Sequence, residues 1–398
     1  MRKIVSMCLT VALLAGTLCV MGVTLIKFGR NYAYGFFKSY TDYMPEDGDI
    51  FDNISARIQK LEYNVKNRLW GKTFLNHIST RIQLYQGKRI ISLNGSDYVR
   101  LSSGGWYTLL NGELSTNNAD NLIEISQKTG IDTAFVYCHC ALFEDNLLPG
   151  NTYLLDNNTE FANLITSRLQ EGGITVIDSR DTYTSHNFTM ETATNSSDIH
   201  WKHALALAAA EDTVKALNAS FNLGLDETAL MAENFDEEVY PGLFEGYYSN
   251  KIGGSYVIKD DVHLLYPAYD TYITYEELND PSVHREGSFK EAVVRYDALE
   301  ISEETGLHSN AYYIYGSYLS QTHTHNENAA DVSILVFKDS YGTPVSIFLG
   351  LAARDVYAVD LRSTNDDIET WIQRINPDVV VFAYSQQMLR DIEYEIAE

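Results

Sequence analysis

Val332-Ser333-Ile334-Leu335-Val336-Phe337-Lys338-Asp339-Ser340-Tyr341-Gly342, residues 332–342, sets an apolar run directly before a short polar turn. Val332–Phe337 is short, branched and nearly continuous in apolar character, as a strand buried on both faces must be. A helix is expected after the turn, near Val345–Ala353. Strand, turn and helix make the βα step of a parallel sheet, and the step recurs on either side. Downstream come a strand at Asp355–Leu361, a helix at Asp366–Arg374, a strand at Val379–Ala383 and a helix at Gln386–Glu395. Upstream come a helix at Asn121–Thr129, a strand at Ala134–Leu142, a helix at Glu160–Glu171 closed by Gly172-Gly173, and a strand at Ile174–Asp178. Short strands are expected at Arg89–Leu93 and Tyr98–Leu101. Together these predict an α/β domain with a mostly parallel sheet and helices on both faces.

Two segments depart from the alternation. Residues 201–217 run through Ala204-Leu205-Ala206-Leu207-Ala208-Ala209-Ala210 and predict a strong helix. Residues 220–310 are rich in Tyr, Gly and Asp and read as an irregular insertion that could face a substrate.

Ahead of the α/β pattern, the run from Ile4 to Ile26 carries no charge, with Arg2 and Lys3 before it and Lys27 and Arg30 after it. At about 1.5 Å per residue such a run spans a hydrocarbon core of roughly 30 Å. It reads as an uncleaved, single-pass signal anchor occupying residues 1–30 with a short cytoplasmic tip, which would leave the body extracytoplasmic at the cell membrane. Residues 31–87 read as a linker and helical stalk: Ile50, Ile54, Ile58, Leu61, Val65 and Leu69 recur at helical spacing, followed by Phe74, Leu75, Ile78 and Ile82. The α/β domain is then expected over residues 88–398.

The 398 residues are 45% hydrophobic and 21% charged, a globular composition. A net charge of −25 repels phosphate backbones and excludes nucleic acid as a natural partner; a neutral sugar suits it better than a polyanion. The 28 tyrosines suit sugar-binding surfaces, although strand and core positions account for most of them. Of the four cysteines, Cys8 and Cys19 fall in the anchor, while Cys138 and Cys140 flank His139 on an apolar strand. That arrangement offers neither a disulfide framework nor enough zinc ligands.

Ser340 sits where a strand ends and a helix opens, so free N–H groups and the helix dipole could stabilise an oxyanion there. Capping of the helix by Asp339 or Ser340 is the plainer reading. Asp198-Ile199-His200-Trp201 stands at the head of the alanine-rich helix. An Asp two residues before a His can hold imidazole Nδ1 and leave Nε2 free for a serine, whereas an ordinary helix start again needs no function. Thr322-His323-Thr324-His325-Asn326 places two histidines at alternate positions, but no third ligand is evident and the segment reads as a solvated loop.

Together D-x-H-W at 198–201 and F-K-D-S-Y-G at 337–342 resemble the DHHW family and the related alginate O-acetylation proteins of the SGNH hydrolase superfamily. The resemblance extends through Val356–Arg362 and Asn376–Phe382, with Ile199 in place of the family's first His. It implies an SGNH-hydrolase-like sheet, with Ser340 as nucleophile, His200 as general base and acid, and Asp198 as its orienter. It also implies an oxyanion or substrate-binding set drawn from Gly316, Ser317, Tyr341 and Arg362. Ser317 stands where the superfamily has an Asn, and a surface ion pair would explain Arg362 equally well. Such a protein would need no cofactor or metal. It would pass an acetyl group to a cell-surface or exported polysaccharide, or an oligosaccharide acceptor, beside a multi-pass membrane acyltransferase supplying acyl groups. A carbohydrate esterase with the same triad, or a non-catalytic glycan-binding protein, would share these motifs.

Overall fold

The computed structural model describes residues 72–93, 95–110, 112–139, 156–303, 305–317 and 319–390. The expected anchor, the linker and stalk up to residue 71, Cys140 and the tail beyond residue 390 lie outside the described residues. Among the described residues, no helix is long and apolar enough to cross a membrane. Helix α1 (Lys72–Tyr85) belongs to one compact unit, and the residues from Gln86 onward form another.

The second unit begins with a small antiparallel sheet of β1 (Ile90–Leu93), β2 (Ser96–Arg100) and β3 (Trp106–Thr108). Its inner face buries Val99, Tyr107 and Leu109 against Met190. The main sheet is built from β4 (Thr133–Cys138), β5 (Thr175–Asp178), β8 (Ile273–Glu277), β9 (Asp280–Gly287), β10 (Thr322–His325), β11 (Ala330–Lys338), β12 (Ala353–Val359) and β13 (Val379–Ser385). Its order is β5-β4-β13-β11-β12-β10-β8-β9. The pairings β5-β4, β4-β13, β13-β11 and β11-β12 are parallel, as the buried apolar runs require. Those from β12 through β10 and β8 to β9 are antiparallel.

Alternate residues of the parallel strands face opposite layers. Val136, Val336, Val381 and Val356 pack on one side with helices α4 (His203–Phe221) and α5 (Gly342–Leu349). Phe135, Leu335, Phe337 and Phe382 pack on the other with α2 (Asn117–Thr129), α3 (Asn158–Glu171) and α6 (Ile368–Ile375). The helix α7 (Gln386–Arg390) follows β13.

The insertion at 220–310 is more regular than its composition suggests. It contains the antiparallel pair β6 (Phe235–Phe244) and β7 (Asp260–Pro267), then the β8-β9 hairpin that extends the main sheet. Strands β6 and β9 are half-exposed, and all four mix polar with apolar residues, so they lack the apolar runs that mark the parallel strands. The same reason hides β10: Thr322-His323-Thr324-His325 is a strand between β12 and β8, not a solvated loop.

Candidate active site

Open α/β sheets gather ligands beyond the carboxyl ends of their strands. Here the ends of β11, β12 and β13 supply Asp339-Ser340-Tyr341, Arg362, and Ser385 with Gln387 and Met388 to one cleft of about 360 Å³. The opposite wall comes from the loop before α4 (Asp198, Ile199, His200), from the insertion (Gly246, Tyr247, Asn250) and from Tyr312 and Tyr313 just after it.

The β11–α5 turn is held by Asp339. One of its carboxylate oxygens accepts from the Tyr341 N–H at 2.9 Å, and the other from the Ser385 N–H at 2.9 Å, which ties the turn to the end of β13. Asp339 therefore takes the capping task and leaves the Ser340 hydroxyl available. Among the described residues the Ser340 N–H makes no backbone hydrogen bond. Only glycine fits at 342, because a Cβ there would lie 2.5 Å from the carbonyl oxygen of Ala383.

The loop 195–201 is closed by a bridge between Thr194 and Trp201 and by Asn195 Nδ2 donating to the His200 carbonyl at 3.1 Å. From outside, the buried Asp260 carboxylate accepts from the N–H groups of Ser196 and Ser197 at 2.8 and 2.7 Å. Asp198 then reaches His200 twice, accepting from its backbone N–H at 2.9 Å and lying 2.5 Å from ring Nδ1. Its second oxygen accepts from the Tyr247 N–H at 2.6 Å. Burial disfavours the Asp198 carboxylate, but the His200 charge and these hydrogen bonds outweigh it and hold the group below the usual range. On the far side of the ring, His200 Nε2 lies 2.8 Å from Ser340 Oγ. Ser340, His200 and Asp198 are thus one continuous hydrogen-bonded chain, whose link from His200 to Ser340 spans 140 residues of sequence.

Two tyrosines clamp the imidazole. The Tyr312 ring stacks on it at 4.0 Å and 15°, and its hydroxyl donates to the Ser340 carbonyl at 3.2 Å. Burial pushes the Tyr312 phenol well above its ordinary pKa, so it stays a neutral donor. Tyr341 lies 4.7 Å away on another side and its hydroxyl donates to the Ile199 carbonyl. Trp201 is fully buried against the Tyr341 edge, which explains why the loop ends on a large ring.

The remaining expected site residues divide. Tyr341 and Arg362 line the cleft. Arg362 also pairs with Asp360 at 2.6 Å, and because Asp360 is fully buried this is an internal ion pair and not the surface one that the sequence suggested. Gly316 and Ser317 do not line it: Ser317 Oγ donates to Glu277 at the end of β8, and Gly316 packs against Thr343 of α5. The side-chain amides that do line the cleft belong to Asn250 and Gln387. Sequence reasoning missed these, together with Gly246, Tyr247, Asp260 and Tyr312. The doublets Tyr247-Tyr248 and Tyr312-Tyr313 were the available signal, and they lay in or beside the stretch read as irregular.

The fold is that of a DHHW family protein. A solved DHHW family protein from Eubacterium siraeum superposes with a TM-score of 0.59 at 18% identity, covering 78% of this chain and 96% of that one. Bacillus cereus PatB1, solved with a sulfonyl adduct, gives 0.56 at 14% identity over 75% of this chain and 99% of its own. A looser likeness, 0.43 at 12% identity over 74% and 92%, is to the O-acetyltransferase domain of Pseudomonas putida AlgJ. No protein-family model and no curated protein matches the sequence. The DHHW-type fold places the two motifs that first suggested it, 198–201 and 337–342, on facing walls of one cleft.

Proposed function

We propose that this chain is a serine-dependent O-acyltransferase acting on the hydroxyl of a polysaccharide or oligosaccharide. What supports acyl transfer is the unbroken contact from Ser340 Oγ through His200 to Asp198 in an open, tyrosine-lined cleft. Ser340 Oγ would attack the acyl carbonyl carbon while His200 Nε2 takes its proton. The proton would then pass to the leaving group as the acyl–donor bond breaks. Next the acceptor hydroxyl would attack the acyl-serine ester and give its proton to His200 Nε2, which returns it to Ser340 Oγ as the acyl–Oγ bond breaks. Asp198 stays charged throughout and offsets the imidazolium. The Ser340 N–H and the amides of Asn250 and Gln387 are the donors available to the oxyanion.

A sugar acceptor is favoured by the partly exposed Tyr247 and Tyr313 along the cleft, since a phenol offers an apolar face and a polar edge. The acetyl group as cargo, the extracytoplasmic side and a membrane acyltransferase partner follow from the family resemblance and the apolar run Ile4 to Ile26. With water as second acceptor the same residues would make an esterase.

The test labels the purified full-length chain with an aryl sulfonyl fluoride and maps the adduct by mass spectrometry. PatB1 carries a sulfonyl adduct in this fold, and an activated hydroxyl is what such reagents modify. The adduct is expected on Ser340 and is expected to vanish in His200→Ala. Labelling spread over exposed tyrosines, unchanged by that substitution, would overturn the nucleophile assignment. Acetyl release from an activated ester, with and without added oligosaccharide, then separates transfer from hydrolysis.

A further inference from the structure

His323 and His325 alternate along β10, so both rings leave the same face of the sheet while Thr322 and Thr324 are buried beneath. Register brings Asp355 of β12 directly opposite His325, and Tyr357 opposite His323. His323 Nε2 and His325 Nδ1 converge on one oxygen of Asp355, each at 2.8 Å. One donor atom from each of the three residues lies within 4.8 Å of the other two. All three side chains stay partly open to solvent, at 17%, 29% and 27%, so an ion has a way in.

The outward ring atoms are also accounted for. His323 Nδ1 lies 3.5 Å from Glu276 on β8, and His325 Nε2 lies 3.2 Å from Glu327. The His323 ring is stacked flat on Tyr357 at 4.2 Å and 2°, which fixes its plane. Imidazoles that ligate a metal commonly donate their second N–H to a carboxylate, which sets the tautomer and raises ligand basicity. With the protons on His323 Nδ1 and His325 Nε2, facing Glu276 and Glu327, the lone pairs of His323 Nε2 and His325 Nδ1 both point at the space beside Asp355.

We propose that His323, His325 and Asp355 form a binding site for a zinc-class divalent cation, with Glu276 and Glu327 as the carboxylates behind the two imidazoles. Two imidazole nitrogens and one carboxylate oxygen suit borderline cations such as zinc, and three protein ligands leave a fourth position for water. Tetrahedral ligands held about 2.0–2.2 Å from zinc stand about 3.3 Å apart, so a small outward turn of the Asp355 carboxylate opens the room. The site is distant in topology from the cleft. Asp355 is near the amino end of β12, whereas Ser340 and Arg362 follow the carboxyl ends of their strands. Its bound ion ties β10, the first antiparallel strand, to β12, the last parallel one. The cation therefore acts as a staple between the antiparallel extension of the sheet, at β10, and the parallel core, and the acyl-transfer assignment does not depend on it.

The experiment titrates zinc chloride into the full-length, chelator-stripped chain by calorimetry and follows thermal unfolding with and without zinc. Cobalt(II) serves as a second probe, because its visible absorption reports nitrogen and oxygen coordination. Expected are a saturable site of one ion per chain, a zinc-dependent rise in Tm, and at least tenfold weaker binding in both His325→Gln and Asp355→Asn. Acetyl-ester turnover is expected to be unchanged in these variants. Absence of binding by the parent chain, or equal binding by parent and variants, would overturn the site and leave only a hydrogen-bonded His–Asp cluster. Both variants retain a polar side chain on the sheet surface. Their unliganded Tm therefore shows whether a lost response comes from lost ligation or lost folding.

Discussion

At Ser340, His200 and Asp198 the proposed chemistry depends on contacts that single atoms control. Ser340→Ala and His200→Ala are each expected to lower ester turnover by about 10³-fold or more, and the double variant by little beyond either, because the pair acts as a unit. Additive losses in turnover assays would speak against a shared proton path. Tyr312 separates packing from hydrogen bonding. Tyr312→Phe keeps the ring on His200 and loses only the bond to the Ser340 carbonyl, so turnover should change by less than about tenfold. Tyr312→Ala removes the clamp and leaves a cavity, with a stability loss of about 3–5 kcal/mol measurable by denaturant unfolding. Lys338 makes a different point. It is fully buried beside the cleft, its Nζ makes no hydrogen bond, and Asp360 is 3.9 Å away and already paired with Arg362. Burial depresses its pKa from 10.5 to about 8. Between those values the unfolded chain binds the extra proton, so stability rises with pH through that window, and below it the charged lysine costs on the order of 3 kcal/mol. Lys338→Met should thus be more stable than the parent at pH 7, with the gap closing towards pH 10. A less stable variant at pH 7 would mean that the distant ion pair outweighs desolvation.

Elements matter because each half of the candidate site is only as well placed as the loop that bears it. The turn after β11 is fixed by its own Asp339, but the loop before α4 relies on β7, through Asp260, and on the insertion, through Tyr247. Asp260→Ala would leave the N–H groups of Ser196 and Ser197 unpaired. A loss of about 2–4 kcal/mol in unfolding experiments, with reduced turnover at unchanged substrate KM, is the expected result. Gly246 is bound to the same loop: a Cβ there would sit within 2.7 Å of three Asp198 atoms. Gly246→Ala should displace Asp198 and lower kcat while leaving Ser340 in place, and unchanged kcat would show that the loop yields freely.

For the whole molecule, charge is the dominant property. A formal net charge of −25 produces a repulsive field felt by any anionic acceptor and screened beyond about 10 Å at 0.1 M salt. Transfer to a neutral oligosaccharide should therefore be nearly independent of ionic strength, while transfer to a uronate-rich one should speed up as salt is added. Kinetics at low and high salt with matched acceptors distinguish the two, and equal salt dependence would remove charge as a selector. The mixed sheet is the other whole-molecule property. Five parallel strands carry the turns after β11 and β12 and the helix after β13, and three antiparallel strands extend the sheet from the far edge.

The sequence alone determined the parallel half and the two motifs. Strands such as 332–337 and 379–383 are buried on both faces, so they must read as apolar runs, and the turns that follow them carry candidate site residues close together in sequence. Asp198 and His200 were legible for the same local reason, since two residues on one tight loop can meet without help from elsewhere. Tertiary structure alone decided what comes from a distance. Strands β6 to β10 mix polar and apolar residues, and that mixed polarity resembles loop until a partner strand is known. Gly246, Tyr247, Asp260 and Tyr312 serve the cleft from segments whose own pattern gives no address. Asp355 completes the triad with His323 and His325 only because β12 lies beside β10, and such pairing across the sheet is set by packing rather than by any spacing along the chain.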